Sequence, residues 1–155
     1  MASLQTQIVV LRCGEVFLGV PIDRVREIVL VPDITPVPES GEVVRGIINL
    51  RGRILPVLDL GHRLGVSQAP RDRSGRIVVV EQGADHMLGL LVDDASEVLR
   101  IAEGSVSPPP ELLSGLLGAG VRSVARSEER LILLVDLEIV LALDGPRPAV
   151  REARA

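Results

Sequence analysis

The residues of this chain that could carry chemistry are two histidines, one cysteine and a few carboxylates. His62 and His86 lie far apart, without the spacing of a zinc site. Cys13 ends an apolar run, which is more typical of a small core or turn residue than of a reactive thiol. Because no nucleophile, acid–base pair or ligand cluster emerges from the pattern, we expect no enzymatic activity, no cofactor and no metal.

Asp59 and Asp136 invite a second interpretation, as the paired carboxylates of a hydrolase. Each of them, however, follows an apolar run and precedes a short stretch with helical spacing. An aspartate in that place accepts hydrogen bonds from the first free N–H groups of a helix. We therefore predict that both residues are helix caps, with catalysis as the weaker alternative.

Arg51 poses the main question of the sequence. It lies in VRGIINLRGRILPVLDL, residues 44–60, between an apolar run and a glycine. Three roles are open: part of a binding surface, a structural ion pair, or a solvated turn residue. We predict that its guanidinium pairs with the carboxylate of Glu27 and that the pair contributes to a surface for a partner.

Composition restricts the class of protein further. The chain has 155 residues, of which 46% are apolar and only 1% aromatic, so its core must be aliphatic. A net charge of −4 with no basic run argues against nucleic-acid binding. The first residues lack the pattern of a signal peptide, and the apolar runs are too short to span a bilayer. We expect a cytoplasmic protein without membrane insertion.

Short apolar segments separated by turn residues predict a mainly β fold. Two hairpins stand out: GIINL and RILPVL, joined at Arg51-Gly52, and RIVVVEQ with HMLGLLV. DLGHRLG predicts a short helix that ends at Gly65. PIDRVREIV, residues 21–29, has apolar residues at helical spacing after a proline, and we predict a helix there that carries Glu27 and exposes Val25.

The sequence also contains segments that align with one another. Shifted by 77 positions, residues 44–60 align without a gap on 121–137, and shifted by 70, residues 18–28 align on 88–98. The prolines of TPVPE and SPPPE correspond as well. Hairpins that recur by chance are the alternative. We predict two copies of one small β unit, too small to be stable alone, that pack around a shared aliphatic layer and leave a groove at their seam.

These motifs resemble the CheW family of bacterial chemotaxis coupling proteins. The family pattern stands here as FLGVPIDRVREIVLVPDITPVPESGEVVRGIINLRGRILPVLDLGHRLG, residues 17–65. The second half follows it with RIVVVEQ, LGLLVDDASEVLRI, SPPPE and ERLILLVDLEIVL. It departs from the pattern at Val121-Arg122-Ser123, where the first copy has Val-Arg-Gly.

The resemblance implies two five-stranded Src-homology-3-like β-barrel subdomains packed over a shared hydrophobic core, with short helices. Residues 1–145 would form the domain, with intertwined repeat units at about 15–65 and 85–143, and 146–155 a flexible tail. It also implies a non-catalytic adaptor that couples methyl-accepting chemoreceptors to the regulatory domain of the histidine kinase CheA. Such an adaptor would lie at the inner face of the membrane through receptor arrays.

Carried over by motif position, the residues that would contact these partners are Val25, Glu27, Gly46, Asn49, Arg51 and Gly52. Val25 is expected to anchor against a receptor helix. Two other functions remain open. One is a coupler for a pathway controlling surface motility, development or a second messenger. The other is an enzyme or small-ligand protein that reuses the fold. The lack of an acid–base pair in the sequence argues against this second function.

Overall fold

The computed structural model describes residues 5–38, 41–83, 86–112 and 120–142. Within them lie the strands β1 (Gln5–Cys13), β2 (Val16–Pro21), β3 (Val25–Leu30), β4 (Val44–Leu50), β5 (Arg53–Asp59), β6 (Arg76–Glu81), β7 (Met87–Val92), β8 (Asp94–Ala102), β9 (Val106–Ser107), β10 (Val121–Ser127) and β11 (Arg130–Val135). The helices are α1 (Leu60–Leu64) and α2 (Leu137–Val140). The predicted flexible tail, 146–155, lies outside the described residues.

The strands form two sheets that exchange hairpins between the halves of the chain. The order is β8-β1-β2-β11-β10-β9 in the six-stranded sheet and β3-β6-β7-β5-β4 in the five-stranded sheet. In each sheet an antiparallel hairpin from one half meets a strand of the other half in parallel, β2 beside β11 and β7 beside β5. The mainly β architecture of two small sheets is confirmed, and the short β9 adds a sixth strand to one of them.

The two halves also share their irregularities. A bulge at Arg26 in β3 recurs 70 positions later at Ser96 in β8. A second bulge, at Arg45 in β4, recurs 77 positions later at Arg122 in β10. Bulges are placed features of a strand, and their recurrence at both offsets supports an internal duplication. The boundaries predicted for the repeat units stay a prediction.

Three aliphatic clusters fill the molecule. One draws on both sheets and lies at the seam between them, one belongs to the five-stranded sheet, and one to the six-stranded sheet. In β6, Val78 and Val80 face the seam while Ile77 and Val79 face the interior of their own sheet. A strand that is buried on both faces needs apolar residues at every position, and this explains why β6 does not alternate between apolar and polar residues.

Polar contacts across the seam join α1 to the end of α2. The guanidinium of Arg63 donates to the carbonyl oxygens of Ile139 (3.0 Å) and Val140 (3.2 Å). Gln82 donates to the carbonyl oxygen of Leu141 at 2.9 Å. These donors satisfy carbonyl groups that a helix leaves free at its C-terminus, so side chains from the first half and from β6–β7 fix the last helix of the second half.

The helix predicted over residues 21–29 is wrong. Ile22–Arg24 form one 3-10 turn, and the chain then enters β3, where half-buried and exposed residues alternate. No side chain caps the turn, whereas β3 pairs with β6 from Val25 to Leu30. Sheet pairing of a segment rich in β-branched residues overrides a helical spacing of only four apolar positions.

Both predicted helix caps are confirmed. An oxygen of Asp59 accepts a hydrogen bond from the N–H of His62 (3.1 Å), and Asp136 accepts from the N–H groups of Glu138 and Ile139. Gly65 ends α1 in the left-handed conformation, as the DLGHRLG pattern predicts. Both carboxylates accept hydrogen bonds from backbone N–H groups.

Candidate docking surface

A concave surface of about 400 Å³ opens at one end of the five-stranded sheet. Its lining comes from β3, from the β4–β5 hairpin and from β7. These residues are Val25, Arg26, Glu27, Leu50, Arg51, Arg53, Leu55 and Met87, which we call the groove. Three of the predicted contact residues thus meet on one surface: Val25 and Glu27 on β3, and Arg51, which lies 24 positions after Glu27.

The hairpin that carries Arg51 has the geometry of a tight two-residue turn. Leu50 pairs with Arg53, and the two residues between them, Arg51 and Gly52, have φ of 51° and 89°. Two successive positive φ values match the twist of the flanking strands, and glycine adopts them at low cost. The side chain of Asn49 accepts a hydrogen bond from the N–H of Gly52 at 2.8 Å. The NLRG motif therefore builds the turn that presents Arg51.

The predicted ion pair between Arg51 and Glu27 is present. An Nη of Arg51 donates to a carboxylate oxygen of Glu27, which projects from β3 and not from a helix. The side chain of Arg51 is 68% exposed and that of Glu27 33% exposed. An ion pair this accessible to water contributes less than about 1 kcal/mol to folding.

Val25 lies in the groove but not as the exposed anchor expected on a helix. It is half-buried on β3 and packs partly against the seam cluster. Leu50 and Met87, which also line the groove, pack against the cluster of the five-stranded sheet. The groove thus has an apolar floor and a charged rim made by Arg26, Arg51, Arg53 and Glu27.

Gly46 does not line the groove. It is buried at the β4 bulge with φ of 145°, and a Cβ built there would lie 2.1 Å from the carbonyl oxygen of Thr35. Thr35 and Ile47 exchange two backbone hydrogen bonds of 2.9 Å beside it. The absence of a side chain at Gly46 therefore lets the backbone at Thr35 pair closely with β4.

Sequence reasoning pointed to the Arg/Glu face of DRVREI, which includes Arg26, but it missed Met87 and Arg53, which also line the groove. It also missed three large apolar side chains that are exposed on β3 and β5: Ile28, Leu30 and Ile54. Period-two alternation in VREIVL, which leaves Arg26, Ile28 and Leu30 on the exposed positions, was the available signal. The helical interpretation of this segment concealed it.

The second half carries a related but altered pair. Arg130 donates to both carboxylate oxygens of Glu97 at 2.8 and 2.9 Å and lies 5.0 Å from the centre of the Phe17 ring. The hydrogen bonds from Arg130 lower the pKa of Glu97 below its ordinary value. Glu97 corresponds to Glu27. The partner of Glu27 is Arg51 in the turn, whereas the partner of Glu97 is Arg130, the first residue of β11.

The remaining candidates for chemistry among the described residues are the cysteine and the metal-ligating side chains. Burial, with the charges of Asp93 and Asp59, raises the pKa of the Cys13 thiol to about 12, so the thiolate is not available near neutral pH. Among residues 5–38, 41–83, 86–112 and 120–142, no three His, Cys, Asp or Glu side chains come close enough to hold a metal ion. In the same residues, no helix is both long and apolar enough to cross a bilayer.

Comparison with known proteins places these features in a family context. Residues 7–144 match the CheW-like domain family. The chain is 36% identical to the chemotaxis protein CheW of Rhizobium meliloti, covering 86% of each chain, and 33% identical to that of Thermotoga maritima, covering 80% of each. The crystal structure of the scaffolding protein TtCheW from Thermoanaerobacter tengcongensis superposes with a TM-score of 0.81 at 35% identity, over 94% of this chain and 98% of that one.

Proposed function

Because the chain belongs to the CheW-like domain family, we propose that it is a non-catalytic adaptor that couples methyl-accepting chemoreceptors to the histidine kinase CheA. Its relatives are named chemotaxis proteins, and the similar solved structure is named a scaffolding protein. In this proposal the protein works by holding two partners together, at the inner face of the membrane where receptors gather.

The composition of the groove is the main observation that supports this proposal. A floor of Val25, Leu50, Leu55 and Met87 lies beneath a rim that includes the Arg51–Glu27 ion pair. An apolar centre with a charged rim is the ordinary anatomy of a protein–protein contact. A receptor is a bundle of helices, and a helix laid in this groove would bury an apolar residue on the floor while the rim fixes its orientation.

Within this proposal the predicted contact residues divide into two roles. Val25, Glu27 and Arg51 touch the receptor, while Asn49 and Gly52 hold the turn that presents Arg51. Gly46 supports the strand behind them. The kinase regulatory domain would bind elsewhere on the two barrels.

We expect Arg51→Ala and Glu27→Ala to weaken receptor association by about tenfold or more, equivalent to about 1.4 kcal/mol. Each variant should unfold within about 1 kcal/mol of the parent, because the pair is exposed to water. Association is measured by co-sedimentation with receptor-containing membranes, and unfolding by urea titration. Arg71→Ala, which removes an exposed arginine outside the groove, is the matched control. Unchanged association in both groove variants would remove Arg51 and Glu27 from the receptor surface.

Val25→Asp should weaken receptor association more strongly, because it places a carboxylate in the apolar floor of the groove. Kinase binding should stay within about twofold of the parent, a difference of less than about 0.5 kcal/mol. Val25→Ala separates lost packing from added charge, and Val37→Asp tests an exposed valine outside the groove. Equal losses of receptor and kinase binding would show that Val25→Asp damages the fold and not one surface.

The proposal as a whole is tested by affinity capture from the cytoplasm and membranes of the source organism. The tagged full chain should recover both a receptor and a histidine kinase, and the kinase should respond to receptor ligands only when the chain is present. A kinase that couples equally well without the chain contradicts the proposed function.

A further inference from the structure

One side chain joins the edge of the groove to the second half of the chain. Arg24 ends the 3-10 turn and directly precedes Val25, which lies in the floor of the groove. Its guanidinium donates to the carbonyl oxygen of Glu81 through Nε (3.2 Å) and Nη2 (2.8 Å). Its Nη1 donates to a carboxylate oxygen of Glu138 at 2.9 Å. Because Glu81 ends β6 and Glu138 lies on α2, this side chain bridges a strand and a helix.

The contacts with Glu81 extend the attachment of β3 to β6 by one residue. Backbone pairing begins with Val25 opposite Val80, so the residue opposite Arg24 would be Glu81. The chain leaves the ladder there, and the side chain of Arg24 donates to the carbonyl oxygen in place of the backbone. The rigid fork of a guanidinium can hold two acceptors at once, which an ammonium cannot do in the same way. The start of β3 therefore depends on the Arg24 side chain.

The end of β6 also contacts both the groove and α2. The carboxylate of Glu81 pairs at 2.7 Å with Arg26, which lies on the rim of the groove. The next residue, Gln82, donates to the carbonyl oxygen of Leu141, directly after α2. Arg24 adds a contact with the helix itself. The start of β3, the end of β6 and α2 thus form one hydrogen-bonded unit.

This bridge is specific to one half, although the fold is duplicated. At the offset of 70 positions, the residue corresponding to Arg24 is Asp94, which accepts a hydrogen bond from the hydroxyl of Ser96. At the offset of 77 positions, the residue corresponding to Glu138 is Gly61, which has no side chain. The other half therefore forms its corresponding strand and helix without such a bridge, and the bridge lies beside the groove.

We infer that Arg24 is a positioning residue for the groove, which it ties to α2 of the second half. The inference rests on the proposed role of the groove in receptor binding and makes that role depend on a helix outside the groove. A displacement of α2 moves the guanidinium and with it the start of β3, where Val25 and Arg26 lie. Because coupling between two linked sites is reciprocal, a receptor helix seated on Val25 restrains α2 in return.

Amide hydrogen exchange of the full chain, followed by NMR, tests the bridge without any partner. Glu138→Ala removes one end of the bridge at a side chain that is 79% exposed and outside the groove. The reporter is the N–H of Val25, which donates to the carbonyl oxygen of Ile22. It should exchange about threefold faster in Glu138→Ala and about tenfold faster in Arg24→Ala, because the start of β3 opens more often. Glu129→Ala removes an exposed glutamate elsewhere in the second half and should leave this rate unchanged.

Co-sedimentation with receptor-containing membranes tests the consequence for the groove. Arg24→Ala retains every residue that lines the groove, yet it should weaken association about tenfold, and Arg24→Lys should recover part of the loss. Adding Glu138→Ala to Arg24→Ala should have no further effect, since two residues that act through one bridge are not additive. Binding to the kinase within about twofold of the parent shows that the fold is intact.

The inference and the adaptor proposal fail in different ways. A Val25 N–H that exchanges at the parental rate in both Glu138→Ala and Arg24→Ala overturns the inference, and so does parental receptor association in Arg24→Ala. Additive losses in the double variant also overturn it, because they mean that the two residues act separately. A parent chain that does not bind receptor membranes contradicts the adaptor proposal instead, and the exchange rates then decide the inference by themselves.

Discussion

Asp59→Ala should cost about 3–5 kcal/mol of unfolding free energy, because it removes the counter-ion of a largely buried arginine. The Asp59 side chain is 1% exposed and that of Arg45 is 12% exposed, with Nη2 and Oδ2 3.2 Å apart. The same oxygen accepts from the N–H of Ala69 at 2.9 Å, and the other oxygen caps α1. One carboxylate therefore holds the β4 bulge, the helix start and the following loop. Its loss leaves Arg45 without a counter-ion, with the carbonyl oxygen of Ala69 at 2.6 Å as its remaining acceptor. It also leaves the N–H groups of His62 and Ala69 without their side-chain acceptor.

Asp136→Ala is the matched control for this effect. Asp136 stands at the corresponding position of the second half and caps α2 through two backbone N–H groups. The residue corresponding to Arg45 is Arg122, which is exposed at its bulge. Loss of a cap alone costs about 1 kcal/mol. Urea unfolding of both variants measures the difference, and equal losses would mean that the Arg45–Asp59 pair adds nothing to the cap.

A second pair of variants separates the charge from the cap. Asp59→Asn keeps an oxygen for the N–H of His62 but removes the charge that faces Arg45. It should destabilise the fold, and adding Arg45→Met should recover part of the loss, because an apolar side chain replaces the unpaired guanidinium. A double variant less stable than Asp59→Asn alone would contradict this explanation.

Gly46→Ala should destabilise the fold by about 3 kcal/mol or more, since both backbone strain and overlap oppose a side chain there. Its φ of 145° is disfavoured for any residue with a Cβ, and that Cβ would lie 2.1 Å from the Thr35 carbonyl oxygen. Backbone, not a flexible side chain, would have to move. Thermal and urea unfolding measure the loss.

Gly52→Ala is the control for Gly46→Ala. Gly52 also has a positive φ, 89°, but a Cβ there meets nothing within 4 Å, so the cost should be about 1 kcal/mol. In the second half the position of Gly46 is held by Ser123, which does not have positive φ. If Gly46→Ala instead keeps the unfolding free energy of the parent but loses receptor association, Gly46 is a contact residue, as the family resemblance predicts.

Much of the fold could be predicted from local signals. The apolar runs placed the strands of both long hairpins, the aspartates placed the helix starts, and Asn49 with Gly52 placed the turn. Helix caps and tight turns depend on hydrogen bonds between residues that are close in the chain. The residue types that make these bonds therefore appear at fixed spacing in the sequence. The Arg51–Glu27 pair was also predicted, although with Glu27 on a helix, whereas the structure places Glu27 on β3.

Where the sequence misled, two patterns competed. Residues 21–29 fit a helical period at four positions, yet Val25–Leu30 alternate as a strand, and the open edge of β6 decided between them. The floor of the groove was missed for a related reason. Leu55 and Met87 look like ordinary core residues in the chain, and only the packing of β5 and β7 reveals that they border a concave surface.

The sequence by itself determined a mainly β, aliphatic chain with two related halves and a turn that presents an arginine, because these follow from composition, periodicity and local hydrogen bonding. Only the tertiary structure decided that each sheet includes a hairpin from the other half, that Gly46 lies against Thr35, and that the buried Asp59 pairs with Arg45. Those outcomes depend on contacts between residues distant in the chain, and the free energy of such contacts depends on burial, which no local pattern records.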